Sequence, residues 1–219
     1  MGELYNLKKL TISDNYELKE LPDSIGQLKN LKIFDLSDNS DFEKLPESIF
    51  QLKNLEKLYL NKNNLESIPV SICGLSNLKN LDIRENNLKL PDCISELKNL
   101  EILNLNENNL ESIQDSICGL SNLKNLNLDE NQLKELPDCI GELKNLEMLN
   151  LAANNLESIP DTIGNLSNLK YLVIRENNLR KFPKNIETLT NLATISLSDN
   201  KIDDFLPDSL NQLPKLKQM

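Results

Sequence analysis

The sequence contains no histidine, and only six of its 219 residues are glycine. Without histidine, the chain cannot form a Ser-His-Asp or Cys-His catalytic arrangement. Its scattered glycines form neither a phosphate-binding P-loop nor a GxGxxG dinucleotide motif. We therefore expect no catalytic residues, no bound cofactor and no enzymatic activity.

Long apolar segments and excess positive charge are also missing. No apolar run approaches the ~18–20 residues of a transmembrane helix, and residues 1–6 lack the basic and apolar regions of a signal peptide. The net charge is −10, and an acidic surface repels the phosphates of nucleic acids. This composition predicts no membrane or nucleic-acid partner and favours a protein partner that carries a basic patch.

A ninefold repeat accounts for nearly all of the remaining sequence. The pattern LxxLxLxxN recurs nine times at intervals of 22 to 24 residues, and its second half reads (L/I)PxxIxxLxN. Such a period predicts one repeat domain over residues 1–219, with partial coils at both ends. Coils one to nine are assigned to residues 7–30, 31–54, 55–77, 78–99, 100–122, 123–145, 146–168, 169–191 and 192–215.

The spacing within coil six shows how one repeat should fold. Leu126 and Leu128 are two residues apart, so both side chains lie on one face of a strand and point into a core. Pro137 fixes its own φ and favours a short helical turn on the return path. A single coil cannot bury this much leucine, so the coils should stack and pair their strands into a parallel sheet. The predicted fold class is an α/β repeat.

An asparagine ends each copy of the pattern at a position that should point inward. A buried amide must be hydrogen-bonded, and backbone groups of the same and adjacent coils are its natural partners. We therefore predict a structural ladder and not a ligand site. Its members are Asn15, Asn39, Asn63, Asn86, Asn108, Asn131, Asn154, Asn177 and Asn200.

These motifs resemble the 23-residue class of leucine-rich repeats, the Ras-suppressor and Ras-scaffold type that is also found in bacterial proteins. The resemblance covers about residues 4–219. It implies a curved, right-handed solenoid with a concave parallel sheet that binds protein ligands, and a convex side of short helical turns or irregular segments. Coil four is one residue short before Pro91, and Gln114 replaces the proline of coil five. Both departures should fall on the rim or convex side, where length changes are tolerated.

The four cysteines contain no CxxC pair and are interpreted as free thiols. Cys73 and Cys118 are 45 residues apart, and Cys93 and Cys139 are 46 apart, so coil pairs appear duplicated. Two coils of separation, ~10 Å, exceeds the reach of a disulfide, whereas pairs in adjacent coils are less clearly excluded. Four free thiols predict a reducing compartment and a cytoplasmic location, which for a secreted effector would be the host cytoplasm.

Side chains that alternate with the buried leucines should line the concave face. Most are polar or acidic, but coils seven and eight carry an apolar cluster with a polar rim, which is typical of a protein-binding hot spot. The predicted binding residues are Met148, Ala152, Ala153, Tyr171, Val173, Arg175 and Glu176. Acidic residues predicted to steer a basic partner are Asp82, Glu85, Glu107, Asp129 and Glu130.

Three functional classes are considered: an interaction module, part of a larger receptor, and an enzyme. Glu85, Glu107 and Glu130 repeat at ~4.8 Å steps, a spacing compatible with glycosidase carboxylates, but nothing apolar should enclose them and raise a pKa. A solvated acidic ladder is the preferred interpretation. The sequence thus predicts a protein–protein interaction module, either a scaffold or adaptor or a pathogen effector. The alternative is the ligand-recognition half of a larger receptor or multidomain signalling protein.

Overall fold

Nine short strands form one sheet in sequence order. The computed structural model describes residues 4–183, 185–203, 210–211 and 213–218, so coil nine lies partly outside the described residues. Every adjacent pair of strands is parallel. The strands are β1 Lys9–Thr11, β2 Ile33–Asp35, β3 Lys57–Tyr59, β4 Asn80–Asp82, β5 Ile102–Asn104, β6 Asn125–Asn127, β7 Met148–Asn150, β8 Tyr171–Val173 and β9 Thr194–Ser196.

The middle residue of each strand points into the core. In β6, Leu126 is fully buried, while Asn125 and Asn127 on either side are partly exposed. Leu126 lies in register between Leu103 of β5 and Leu149 of β7, so the core continues from coil to coil. This arrangement confirms the predicted right-handed solenoid with a parallel sheet on its concave face.

Short 3₁₀ helices form the convex side. Seven of the eight within the described residues follow a residue in extended conformation, which is a proline in six of them. The eighth follows Asn185, with φ −104° and ψ 26°. Gln114 takes that place in coil five with φ −79° and ψ 156°, so proline favours this geometry without being required. The 3₁₀ helices within the described residues are Asp23–Gln27, Glu47–Gln51, Val70–Gly74, Asp92–Glu96, Asp115–Gly119, Asp138–Glu142, Asp161–Asn165 and Ile186–Thr188.

The turn that follows each strand contains a residue with left-handed backbone. Its φ lies between 48° and 60° in all nine coils, although none of these residues is glycine. A side chain with a Cβ adopts this region at a cost, so the stacked coils hold equivalent local strain along the whole array. The residues are Asp14, Asp38, Lys62, Glu85, Glu107, Glu130, Ala153, Glu176 and Asp199.

The cysteines form two disulfides, so the expectation of four free thiols is wrong. Cys73 is bonded to Cys93 and Cys118 to Cys139, with Cα–Cα distances of 6.0 and 5.8 Å. Each bond joins the residue after the buried isoleucine of one 3₁₀ helix to the residue before the buried isoleucine in the next coil. This stagger brings adjacent coils within bonding range. The 45-residue duplication therefore repeats a disulfide-linked coil pair, coils three and four and then coils five and six.

Candidate protein-binding face

The interior asparagines tie adjacent coils together. In coil six, the Asn131 Nδ2 donates to the Leu128 carbonyl of its own coil at 3.1 Å and to the Leu105 carbonyl of coil five at 3.0 Å. Its Oδ1 accepts the Leu110 N–H at 2.9 Å. The ladder residues of coils two to eight are at most 9% exposed. Each amide thus bonds to backbone groups of its own coil and of the preceding coil.

The two ends of this ladder differ from the inward, buried placement predicted for it. Asn15 is exposed and Asn200 is only half-buried. The Asn15 Nδ2 donates to the Ser13 carbonyl at 2.7 Å. Because Asn15 lies in the first described coil, its amide has no carbonyl of a preceding coil within the described residues to bind.

A second asparagine ladder, to which sequence reasoning gave no role, runs along the exposed edge that precedes the strands. Each Nδ2 donates to a backbone carbonyl of the preceding coil at 2.6 to 2.8 Å. The strict recurrence of asparagine in the LxN motif was the signal that could have revealed it. Its members are Asn30, Asn54, Asn77, Asn99, Asn122, Asn145, Asn168 and Asn191.

Met148, Tyr171 and Val173 form an apolar patch on the outward face of β7 and β8. Met148 lies in register beside Tyr171, and Val173 is two residues further along the same strand as Tyr171. Tyr171 is 48% exposed, and the other two side chains are half-buried. On the far side, β9 presents Thr194 and Ser196, so polar residues border the patch.

The other predicted binding residues lie beyond the ends of β7 and β8, and they do not all face outward. Ala152 is fully buried, contrary to the outward position predicted for it, because β7 ends at Asn150 and the alternation ends there too. Ala153 is half-buried in the left-handed turn. Arg175 and Glu176 are exposed and form an ion pair with each other. The surface available to a partner is therefore the apolar patch with Ala153 and this ion pair beside it.

Two of the five acidic residues predicted to steer a partner already face a cation. The Arg84 Nε lies 3.7 Å from the Asp82 Oδ2, and the Lys62 Nζ lies 3.8 Å from the Glu85 Oε1. The predicted steering residues with no ion pair among the described residues are Glu107, Asp129 and Glu130. The predicted steering residues left without a cation thus lie in coils five and six.

Burial and charge repulsion raise the pKa of two of these carboxyl groups. Partial burial is the main cause of the raised pKa of Asp82, although the N–H and the charge of Arg84 oppose it. The pKa of Glu107 is raised first by partial desolvation and then by the charges of Glu85 and Glu130. The pKa of Glu107 is thus raised although its side chain is exposed and lies beside other carboxylates.

Two kinds of feature were not found among the described residues. No group of three or more cysteine or acidic side chains there is placed to hold a metal ion. No described helix is both long and apolar enough to cross a membrane. The candidate site described above consists of the concave apolar patch and its acidic neighbours.

Comparison with known proteins gives the family. A family model described as a leucine-rich repeat region matches residues 1–82, 38–115, 70–158 and 102–219. No curated protein matches the chain. A leucine-rich repeat protein of Leptospira interrogans is 40% identical to it, with a TM-score of 0.95 over 100% of this chain and 55% of that one.

Two plant receptor structures are also similar. The Arabidopsis receptor kinase HAESA, solved with the peptide hormone IDA and the co-receptor SERK1, is 32% identical with a TM-score of 0.86, over 98% of this chain and 37% of that one. The plant peptide hormone receptor RGFR1, solved with RGF2, is 28% identical with a TM-score of 0.81, over 100% and 40%. This chain thus spans about half or less of these proteins. From its repeats, its parallel sheet and these matches, the chain belongs to the leucine-rich repeat family.

Proposed function

We propose that this chain is a protein-recognition module that binds a protein or peptide partner on its concave face through the apolar patch. The observation that carries the proposal is the register of Met148 beside Tyr171, which leaves contiguous apolar surface on a mostly polar sheet. Tyr171 supplies a rigid, amphipathic anchor, and the ion pair of Arg175 and Glu176 supplies a polar rim that orients the partner.

The charge of the face favours a partner with a basic patch. The net charge is −10, and three of the predicted steering residues without an ion pair among the described residues, Glu107, Asp129 and Glu130, lie in coils five and six, next to the apolar patch. Opposite charges speed the encounter of two proteins more than they strengthen the final complex. The association rate should therefore fall as salt concentration rises, while the dissociation rate changes little.

The disulfides support recognition in an oxidising compartment. Disulfides persist outside the cytoplasm, where thiols are not kept reduced, and the argument for a cytoplasmic scaffold or adaptor rested on free thiols. An effector that acts in the host cytoplasm fits the disulfides no better than a scaffold does. The recognition part of a larger receptor fits them, and the similarity to receptors solved with peptide hormones supports it. Thiol labelling of unfolded protein purified without reductant should detect no free thiol. Four labelled thiols would contradict the disulfides and favour a reducing compartment.

A charge-inserting double variant tests the site. A partner captured from lysate by the purified chain should bind the Met148→Asp, Tyr171→Asp variant at least about tenfold more weakly, because the anchor of a hot spot is lost. The side chains are partly exposed, so the melting temperature should change little.

The matched control is Asn80→Asp with Ile102→Asp. This pair occupies the same strand positions and the same register in coils four and five, so it adds comparable charge away from the patch. It should leave affinity within about threefold of the original. Equal loss in both variants, or unchanged affinity in the first, would place the site elsewhere.

A further inference from the structure

The seam between coils four and five lacks a hydrogen bond that recurs elsewhere along the flank. In most coils, the residue that follows the buried ladder asparagine donates its backbone N–H to a leucine carbonyl of the preceding coil at 2.8 to 3.2 Å. That leucine lies two residues after the ladder asparagine of its own coil. The pairs are Asn87–Leu65, Gln132–Leu110, Asn155–Leu133 and Asn178–Leu156. Asn109 makes no such bond to Leu88 among the described backbone contacts, and its φ of 57° is left-handed, unlike that of its counterparts.

The missing residue of coil four explains the break. On the other side of coil four, Lys89 still forms a parallel bridge with Ser67 of coil three. Coils three and five both have the full-length loop. Coil four keeps its hydrogen bond and bridge to coil three, so the mismatch in length falls at its contact with coil five. The seam also lies between the two disulfide-linked coil pairs, and the described residues contain no disulfide across it.

A cleft of about 460 Å³ opens at this seam. Its floor is aliphatic and includes Leu88, Leu90, Leu110 and Ile113. Its rim carries amides, hydroxyls and two exposed side chains of opposite charge, Lys89 from coil four and Glu111 from coil five. A volume in this range accommodates a small ligand or a few residues of peptide.

We propose that this cleft is a second binding site, on the flank of the solenoid, for a short extended peptide segment that inserts an aliphatic side chain. Among the described backbone contacts, the Leu88 carbonyl and the Asn109 N–H do not hydrogen-bond to each other. A peptide group supplies both a donor and an acceptor, so it can bind to both. The aliphatic floor receives the side chain. The opposite charges of Lys89 and Glu111 fix the direction of a segment that carries an acidic residue at one end and a basic residue at the other.

A minimal peptide tests the cleft directly. N-acetyl-leucine N′-methylamide contains one aliphatic side chain between two peptide groups. Added to the full chain labelled with ¹⁵N, it should shift the amide resonances of Leu88, Asn109 and Ile113 saturably, with a Kd on the order of 1–10 mM for so few atoms. N-acetyl-glycine N′-methylamide should bind at least about tenfold more weakly, because it lacks the side chain. The absence of saturable shifts, or equal binding of both probes, would overturn the proposal.

The repeated segment Glu-Ser-Ile offers a matched pair of variants. Ser112 lines the cleft, and Ser158 is its exposed counterpart in coil seven, where the flank bond is present. Ser112→Trp should fill the cleft and reduce the shifts caused by the leucine probe at least about tenfold, whereas Ser158→Trp should leave them unchanged. Equal effects of the two variants would contradict the site. Because neither serine lies on the concave face, these outcomes do not depend on whether the apolar patch binds a partner.

Discussion

At the scale of single residues, the two asparagine ladders differ in whether their amides are buried or exposed to water. Asn131 is buried and pairs three carbonyls and two N–H groups, whereas Asn122 is exposed and donates to the Lys98 carbonyl at 2.8 Å. We expect Asn131→Ala to lower the free energy of unfolding by about 2–4 kcal/mol, because buried backbone groups lose their partners. Asn122→Ala should cost at most about 1 kcal/mol, because water replaces the amide. Urea unfolding measures both losses. Equal losses would show that burial does not determine how much a ladder asparagine contributes to the free energy of unfolding.

Individual side chains were predictable where strand alternation controls them. Leu126 points inward and Tyr171 outward because both lie within strands of period two. Ala152 was predicted wrongly because it lies beyond the end of its strand, where the left-handed turn sets direction. The cysteine pairs were missed for a related reason: their distance depends on the stagger between 3₁₀ helices, which repeat spacing alone does not specify.

At the scale of coils, equivalent carboxylates repel one another across the seams. The pKa of Glu107 is raised by partial desolvation and by Glu85 and Glu130, so its ionisation opposes folding. The cost is full above the raised pKa of the folded state and vanishes below the pKa of the unfolded chain. Glu107→Gln should therefore raise the free energy of unfolding at pH 7 and have no such effect at pH values acidic enough to protonate glutamate in both states.

Denaturant unfolding at several pH values checks this sign. Lys134→Gln serves as a control at an exposed position of coil six, for which no comparable gain at neutral pH is expected. High salt should shrink the gain from Glu107→Gln, since the side chain is exposed and the repulsion is screened. A gain that persists in acid would assign it to something other than charge.

The strands and 3₁₀ helices follow from repeat spacing because each coil meets the same neighbours. The cleft between coils four and five could not be predicted in the same way. Its missing residue before Pro91 was visible and was interpreted as a tolerated length change. The sequence does not show whether the backbone of Asn109 can shift towards the shorter coil and restore the hydrogen bond. In the structure, Asn109 adopts a left-handed φ and the bond is not made.

At the scale of the whole molecule, the contacting strands and 3₁₀ helices of the described residues belong to adjacent coils. Each coil packs on its neighbours, so stability is a sum of coil and seam contributions. The leucine pattern predicts this architecture because its physics is local and repeated. The identity of the partner was not predictable, because binding depends on outward residues such as Met148 that the fold leaves free to vary.

The two disulfides give this array an unusual response to tension. If its ends are pulled apart, coils detach one after another. Each disulfide keeps the segment between its two cysteines, whose sequence separation is 20 or 21, from extending. Breaking both bonds should release roughly 65–70 Å each, at ~3.5 Å per residue. Optical tweezers should therefore record a stretched length roughly 130–140 Å greater after a reductant is added, and an unchanged length would mean that the links are absent. As a tether between two attachments, the molecule would have a reach set by the redox state of its surroundings.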